Sequence, residues 1–360
     1  MNVDFYYEKN RDMLMRWAKA VPTTVGTRSA AQNVGEMNNW GWEFGLTWRD
    51  KIGKDFKYKV NLNTGFSGNE VLNMDWETQY LYRQITYGRR SDYATGWGMQ
   101  CIGMFRSYQE INEYFDTYLK QADGSDGLYC GLTRDRVRPG MLIYKDIRGA
   151  YDEATGTYAG PDGIVDLEND QVQLSCRPNH YNMSLNLSAE WKGISLTAQF
   201  SAAWGGYTTL PGYALKPAVG NSAATLEYAN MPSFWDYNNV FAYQTVTDDE
   251  GNVLVQENRD AYYPVLASGG DFQKVNSAES SFWRISSARF TLNRLTIAYS
   301  IPKKWLTKVA FIKSVRINIT GQNLINFYNP YPDSFTSPMA GTYGSYPNLR
   351  KWTIGVNLSF

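Results

Sequence analysis

One histidine, three cysteines and no net charge leave this 360-residue chain few routes to chemistry. His180 is the single imidazole, so a triad or a facial metal site built on histidine has one candidate, beside Pro178 and opening a strand. Cys101, Cys130 and Cys176 are odd in number and lack CxxC spacing. That argues against a zinc site and a disulfide framework and predicts free thiols. Lys plus Arg and Asp plus Glu are 35 each, so no long-range field points to nucleic acid or acidic lipid. No run of about 18 apolar residues exists, which excludes a helical membrane span. G-x-S-x-G, HExxH and P-loop patterns are missing. Carboxylate neighbours such as Asp152 with Glu153 and Asp248 with Asp249 fall in polar turns, where both ionise. No enzyme is expected. The opening MNVDFYYEKN has no basic head followed by an apolar stretch, so no export signal is read there.

What is abundant is aromatic. The 27 Tyr, 16 Phe and 12 Trp suit sheets and membrane interfaces better than helical bundles. In the last ten residues Trp352, Ile354, Val356, Leu358 and Phe360 alternate with Lys351, Thr353, Gly355, Asn357 and Ser359. Successive strand side chains point to opposite faces, so this segment has an apolar face and a polar one. Its length is about that of a tilted strand crossing a bilayer, roughly 9 to 11 residues. The same alternation marks strands at Val3–Glu8, Trp40–Arg49, Phe56–Phe66, Tyr181–Trp191, Ile194–Ala202, Phe290–Ser300 and Val315–Gln322.

Short and long links alternate between these eight strands. A polar connection passes Pro22, Gly26 and Gly35, and excursions follow Gly68 and Gly205. Links near Gly53, Lys192–Gly193 and Pro302–Lys313 are short. Outer-membrane barrels sort their connections this way, with tight periplasmic turns and long external loops. The expected fold is all-β, a transmembrane antiparallel barrel with long extracellular loops and its apolar face toward lipid. Trp40, Trp48, Tyr181, Trp191, Trp204 and Trp352 are expected near strand ends on that face, as an aromatic girdle. Lys57, Lys59, Asn61 and Asn63 are expected to line the lumen. Within the first excursion, Tyr80–Tyr87 and Trp97–Phe105 read as strand extensions and Gln109–Lys120 as a short helix. Eight strands are expected to form an open sheet rather than a closed ring. A soluble β-rich carbohydrate-binding or adhesive protein is the alternative, since a sandwich also alternates with period two. It predicts that Trp42, Phe44, Val60, Leu196 and Ile354 converge on a dry interior.

The motifs FYYEKNRDMLM, NVGEMNNWGWEFGLTW, GMFRSYQEI, PGMLIYKDIRG, GPDGIVDLEND and NRDAYYPVL occur in that order. They are followed by SSFWRISSARFTLNRLTIAYSIPKKWLTK, VRINITGQNLINFYNPY and KWTIGVNLSF. Together they resemble the C-terminal part of a SusC/RagA-type TonB-linked outer-membrane protein. The resemblance implies a share of a 22-stranded barrel across residues 1–360, with the plug domain and signal peptide outside this chain. It implies import of glycan or peptide, a SusD-like surface lipoprotein as partner, and energy from the TonB complex through a segment this chain lacks. It also implies that Trp352 and Phe360 form the terminal signal read by the barrel-assembly machinery. The family often carries a calcium-loop-like DxNGDGxID. Here Asp146 and Gly149 resemble its start, and Asp162, Gly163 and Asp166 its end, with AYDEATGTYAGP inserted and Arg148 in place of Asn. Calcium at Asp146, Asp162 and Asp166 is one expectation, and an Asx-turn loop with solvated carboxylates the other. The loop aromatics Trp97, Tyr108, Tyr114, Trp235, Tyr237, Tyr262, Tyr263, Tyr328, Tyr331 and Tyr343 suit either sugar platforms or packing of the loops themselves.

Overall fold

Alternation of β-branched and aromatic residues with Asn, Ser, Thr and Lys builds eight long strands. They are β1 (Asn2–Arg16), β2 (Ala31–Ile52), β3 (Phe56–Asn73), β4 (Tyr181–Trp191), β5 (Ile194–Trp204), β6 (Arg289–Ser300), β7 (Ser314–Tyr328) and β8 (Lys351–Ser359). The computed structural model describes the chain except residues 17–30, 75–79, 85–87, 94, 211–238, 266–269, 308–310 and 332–348. All eight strands pair with their sequence neighbours, antiparallel, in one sheet whose edges are β1 and β8. The sheet is open. All eight segments expected from the sequence are strands, several longer than their alternation suggested. Gly35, expected in a connection, lies inside β2, while Pro22 and Gly26 lie outside the described residues.

The short links lie at one end of the sheet. Lys192 and Gly193 both have positive φ, 48° and 87°, as a two-residue type I′ hairpin requires. The link after β6 makes one helical turn at Lys303–Leu306. At the opposite end the described residues of the two long excursions, 74–180 and 205–288, fold into a single cap with one hydrophobic core. Phe105, Phe115, Tyr129, Leu142 and Tyr144 come from the first excursion, and Leu210, Phe241, Val275 and Trp283 from the second. Backbone bonds stitch the excursions together: Met99 N donates to Glu279 O at 2.7 Å and Val265 N to Gly140 O at 3.0 Å.

Helix α1 (Tyr108–Tyr118) occupies most of the segment expected to be helical. Ser107 caps it by accepting from Glu110 N, and Glu110 Oε2 accepts from Arg106 N at 2.7 Å, a variant of the capping box. Its Ile111, Tyr114 and Phe115 are buried, at the i, i+3, i+4 spacing of one helix face. A second helix, α2 (Gly270–Asn276), carries Val275 and Asn276 into the core. Trp97–Met99 and Cys101–Met104 are strands, but they pair inside the cap, with Gln171–Gln173 and Leu142–Tyr144, rather than extending the sheet. Leu81–Arg83 is a 3-10 turn, not a strand. In Trp97–Met104 the β propensity is satisfied, but by partners within the cap rather than by the sheet.

Candidate functional site

Register decides which residues share a face. Opposite Trp42 stand Phe5 and Phe66; Phe66 faces Tyr181, and Tyr181 faces Trp204. Farther down the sheet, Leu46, Leu62, Leu185, Phe200, Leu292 and Ile325 form one continuous row. Leu196, Ile297, Ile319 and Ile354 form another, exposed by 41%, 49%, 46% and 73%. Isolated apolar side chains on a surface need no explanation, whereas uninterrupted rows across many strands mark a face meant for an apolar medium. Trp42, Phe44 and Val60 are only half-buried. The five residues that a two-layered soluble fold would bury are therefore not buried. Trp48, Trp191, Trp204 and Trp352 are exposed on this face. Trp40 is mid-strand, because β2 begins nine residues before it.

The opposite face is polar in the same registers. Thr47, Asn61, Asn186, Gln199, Arg294, Gln322 and Lys351 align in one row, and Arg49, Lys59, Ser188, Thr197, Thr296, Thr320 and Thr353 in the next. These groups bond to one another. Asn61 Nδ2 donates to Thr47 Oγ1 at 2.8 Å, and Asn63 Nδ2 to Asn61 Oδ1 at 3.1 Å. The Thr296 and Thr320 hydroxyls lie 2.9 Å apart, and Arg316 donates to Ser195 Oγ at 2.8 Å. Lys57, Lys59, Asn61 and Asn63 thus stand on one wet wall, as expected. Near the short-link end that wall holds a concavity of about 560 Å³ lined in part by Arg49, Lys51, Lys57, Lys59 and Glu190.

Most described aromatics of the excursions pack the cap itself. Trp97 and Tyr114 are buried, and Tyr263 and Tyr331 pack against the core. Tyr262, 66% exposed, lies on Phe282 with ring centroids 5.2 Å apart, and exposed Tyr108 meets Tyr243 edge to face. Tyr328 is exposed at the end of β7. Trp235, Tyr237 and Tyr343 lie outside the described residues.

The acidic segment closes on backbone amides. Asp162 Oδ1 accepts from Ile164 N and Asp166 Oδ1 from Glu168 N, two Asx turns. Asp146 Oδ2 accepts from Gly163 N at 2.8 Å. Among the described residues no three His, Cys, Asp or Glu side chains are grouped so as to hold a metal, so these donors as placed do not fit a calcium cage. Two features differ from a loop of solvated carboxylates. Asp146 is buried, with Oδ1 lacking a partner, and Asp170, which closes the GPDGIVDLEND motif but is not among the expected ligands, is fully buried. Asp170 accepts from the backbone N–H groups of Ile147, Arg148 and Asp166, tying both ends of the insertion together. Burial pushes both carboxyls up, Asp146 to about 6, with Asp170 adding repulsion.

A pH dependence follows. The native cap holds a proton on Asp146 that an unfolded chain releases above the ordinary 3.8, so stability is greatest below that window and falls as pH rises through about 6. Acidifying the protein from pH 8 to pH 5 is expected to stabilise the cap by ~1–2 kcal/mol, read as the urea midpoint of its near-ultraviolet circular dichroism. Asp146→Asn should flatten that dependence. An unchanged slope in the variant would remove Asp146 as its source.

No family model matches the chain. Two curated proteins from Formosa agariphila, TonB-dependent receptor P3 and TonB-dependent receptor P26, are each 23% identical to it, over 385 and 381 aligned residues. The alignments cover 100% and 99% of this chain and 32% of each relative. Among solved structures, the RagAB peptide transporter matches with a TM-score of 0.64 at 16% identity, over 99% of this chain and 33% of that one. The RagAB peptide importer in its closed-closed state matches with a TM-score of 0.63 at 18% identity, covering 99% of this chain and 33% of the other. The fold is that of a TonB-dependent receptor barrel. The chain spans about a third of the length of the curated relatives it matches. These matches agree with the resemblance of its motifs to TonB-linked receptors, and in a barrel of this fold the apolar face of the wall meets lipid and the polar face the lumen.

Proposed function

We propose that this chain forms part of the wall and the external cap of an outer-membrane receptor that imports glycan or peptide fragments. The observation that carries this is the register: eight strands keep apolar opposite apolar on one face and polar opposite polar on the other. Lipid on one side and a watery conduit on the other account for both faces at once. The wall's task is passive, with hydroxyl and amide side chains offering exchangeable bonds to a passing polymer and no group set for covalent chemistry. A peptide-importing structural neighbour favours peptide among the cargoes.

The remaining assignments are proposals of the same standing. A SusD-like lipoprotein would sit over the cap, and the TonB complex would act through a segment outside this chain. The barrel-assembly machinery would read the terminal strand, where Trp352 and Phe360 are both exposed on the apolar face. A Gram-negative outer membrane is the location that follows. Deleting the encoding gene and fractionating the parent cells tests the core of it. The receptor should partition with detergent-solubilised outer membrane, and the deletion should abolish growth on one class of oligomer, glycan or peptide, as sole nutrient. A product confined to aqueous extracts would overturn the membrane assignment, and unchanged growth on every oligomer tested would overturn the import role.

A further inference from the structure

Charge on this neutral chain is sorted by location. On the polar wall from β3 to β8 stand Lys57, Lys59, Arg294, Arg316 and Lys351 against the one carboxylate Glu190, while on β1 and β2 the same face carries Asp4 and Glu43 beside Arg49 and Lys51. Positive charge recurs where the wall meets the cap. There a pocket of about 400 Å³ is lined in part by Arg89, Arg90 and Arg177, with Asp92, Tyr93 and Gln173 also on its walls. It is fixed to the sheet from two directions. Asn69, on the polar face of β3, accepts from Ser91 N at 3.1 Å and from Ser91 Oγ at 3.2 Å, while Arg177 and Tyr207 exchange backbone bonds of 2.9 Å.

The three guanidinium groups are not equivalent. Arg90 is satisfied by Asp92, Nε to Oδ1 at 3.0 Å and a second nitrogen to Oδ2 at 3.2 Å. Arg89 stacks over the Tyr93 ring at 4.5 Å, and Arg177 Nε donates to Gly205 O at 3.3 Å. Among the described residues neither Arg89 nor Arg177 has a carboxylate partner. Arg89 and Arg177 line one concavity without counter-ions, so an anion entering it meets two cations free to pair with it. Nearby His180 registers the same field: burial lowers its pKa, and Arg177 and Arg90 lower it further.

We propose that this pocket binds a carboxylate of the cargo through Arg89 and Arg177, and that the receptor therefore selects acidic oligomers. The planar forks of arginine suit a carboxylate, and the volume suits one or two residues of a polymer. The cationic wall beyond gives an acidic cargo a favourable path inward. The source is a uronate-bearing glycan or an acidic peptide, which share this chemistry. This selectivity rests on the import role proposed above.

Calorimetric titration of the purified intact receptor tests it with four probes: trigalacturonate, triglutamate, and their neutral counterparts galactotriose and triglutamine. One acidic probe should bind at least ~10-fold more tightly than its neutral counterpart, with affinity falling as salt rises. Which one binds identifies the source. The double variant R89Q/R177Q should lose ~30-fold or more, while Arg177→Lys should retain part of the affinity. Equal binding of acidic and neutral probes, absence of binding by both acids, or full affinity in a double variant whose barrel remains heat-modifiable on gels would each overturn the proposal. The probe comparison on the unmodified receptor stands even where a variant misfolds. Nutrient uptake without charge preference would sink the pocket alone, whereas absence of any uptake would sink the import role on which it rests.

Discussion

Leu185→Arg is expected to destabilise the receptor in lipid by ~2–4 kcal/mol, the cost of a cation on the hydrocarbon face of a barrel near mid-depth. Ser184→Arg, one residue away, is expected to cost about 0.5 kcal/mol or less. Leu185 lies near the middle of β4, opposite Leu62 on one side and Phe200 on the other. Ser184 points the other way, opposite Asn63 and Ser201, into a row of hydroxyls and amides. Arginine there meets water and acceptors. Leu185→Ala removes the same neighbour contacts without adding charge and should fall between the two, separating lost packing from the cost of placing charge in hydrocarbon. Urea unfolding in phospholipid vesicles reads all three. Equal costs for Leu185→Arg and Ser184→Arg would mean that the two faces meet the same medium, and the barrel-wall interpretation would fail.

That comparison probes the part of the molecule most legible in the sequence. Each strand reports its own two faces, because period two is local and a half-buried strand leaves a clean alternation. The length of β2 was not legible. Residues 31–39 hold Gly35 and three asparagines, and their pairing with Met13–Arg16 and with β3 comes from neighbours rather than from their own propensity. The cap was harder still. Its core is assembled from two excursions far apart in sequence, so no window of the chain displays it. Trp97–Met99 looked like barrel because its residues favour strands, yet its partner, Gln171–Gln173, is supplied by the far end of the excursion. In the acidic segment, local spacing brought forward Asp162 and Asp166, which make Asx turns, whereas the fully buried Asp170, at the end of the same motif, was assigned no role. Clustering of Arg89 and Arg90 with Arg177 likewise spans almost ninety positions and becomes visible only once β3 and β4 are paired.

Asn276→Ala is expected to destabilise the cap by ~3–5 kcal/mol and to open both excursions together. Its side chain is buried and serves three backbone groups. Oδ1 accepts from Leu142 N at 2.9 Å, and Nδ2 donates to Gly140 O at 2.9 Å and to Val265 O at 2.7 Å. Two of those groups belong to the first excursion and one to the second. Its own carbonyl accepts from Trp283 Nε1 at 2.7 Å, and the neighbouring Val275 O from the Tyr144 hydroxyl at 2.7 Å, so the end of α2 is a junction rather than a contact. Alanine takes away the acceptor of the buried Leu142 N–H and the donor to Val265 O, while Gly140 O keeps its bond from Val265 N, and the cost of stranding such groups exceeds the net value of the bonds they made. Asn276→Asp keeps an acceptor for Leu142 N but removes both donors and adds charge in a dry site. It should be at least as damaging at pH 8 and partly relieved on acidification. Hydrogen exchange of the intact receptor is the direct measurement. If the excursions share one cooperative core, amides of Met99–Tyr144 and of Val275–Trp283 lose protection by the same amount in Asn276→Ala. Loss confined to the second group would divide the cap into two independent units.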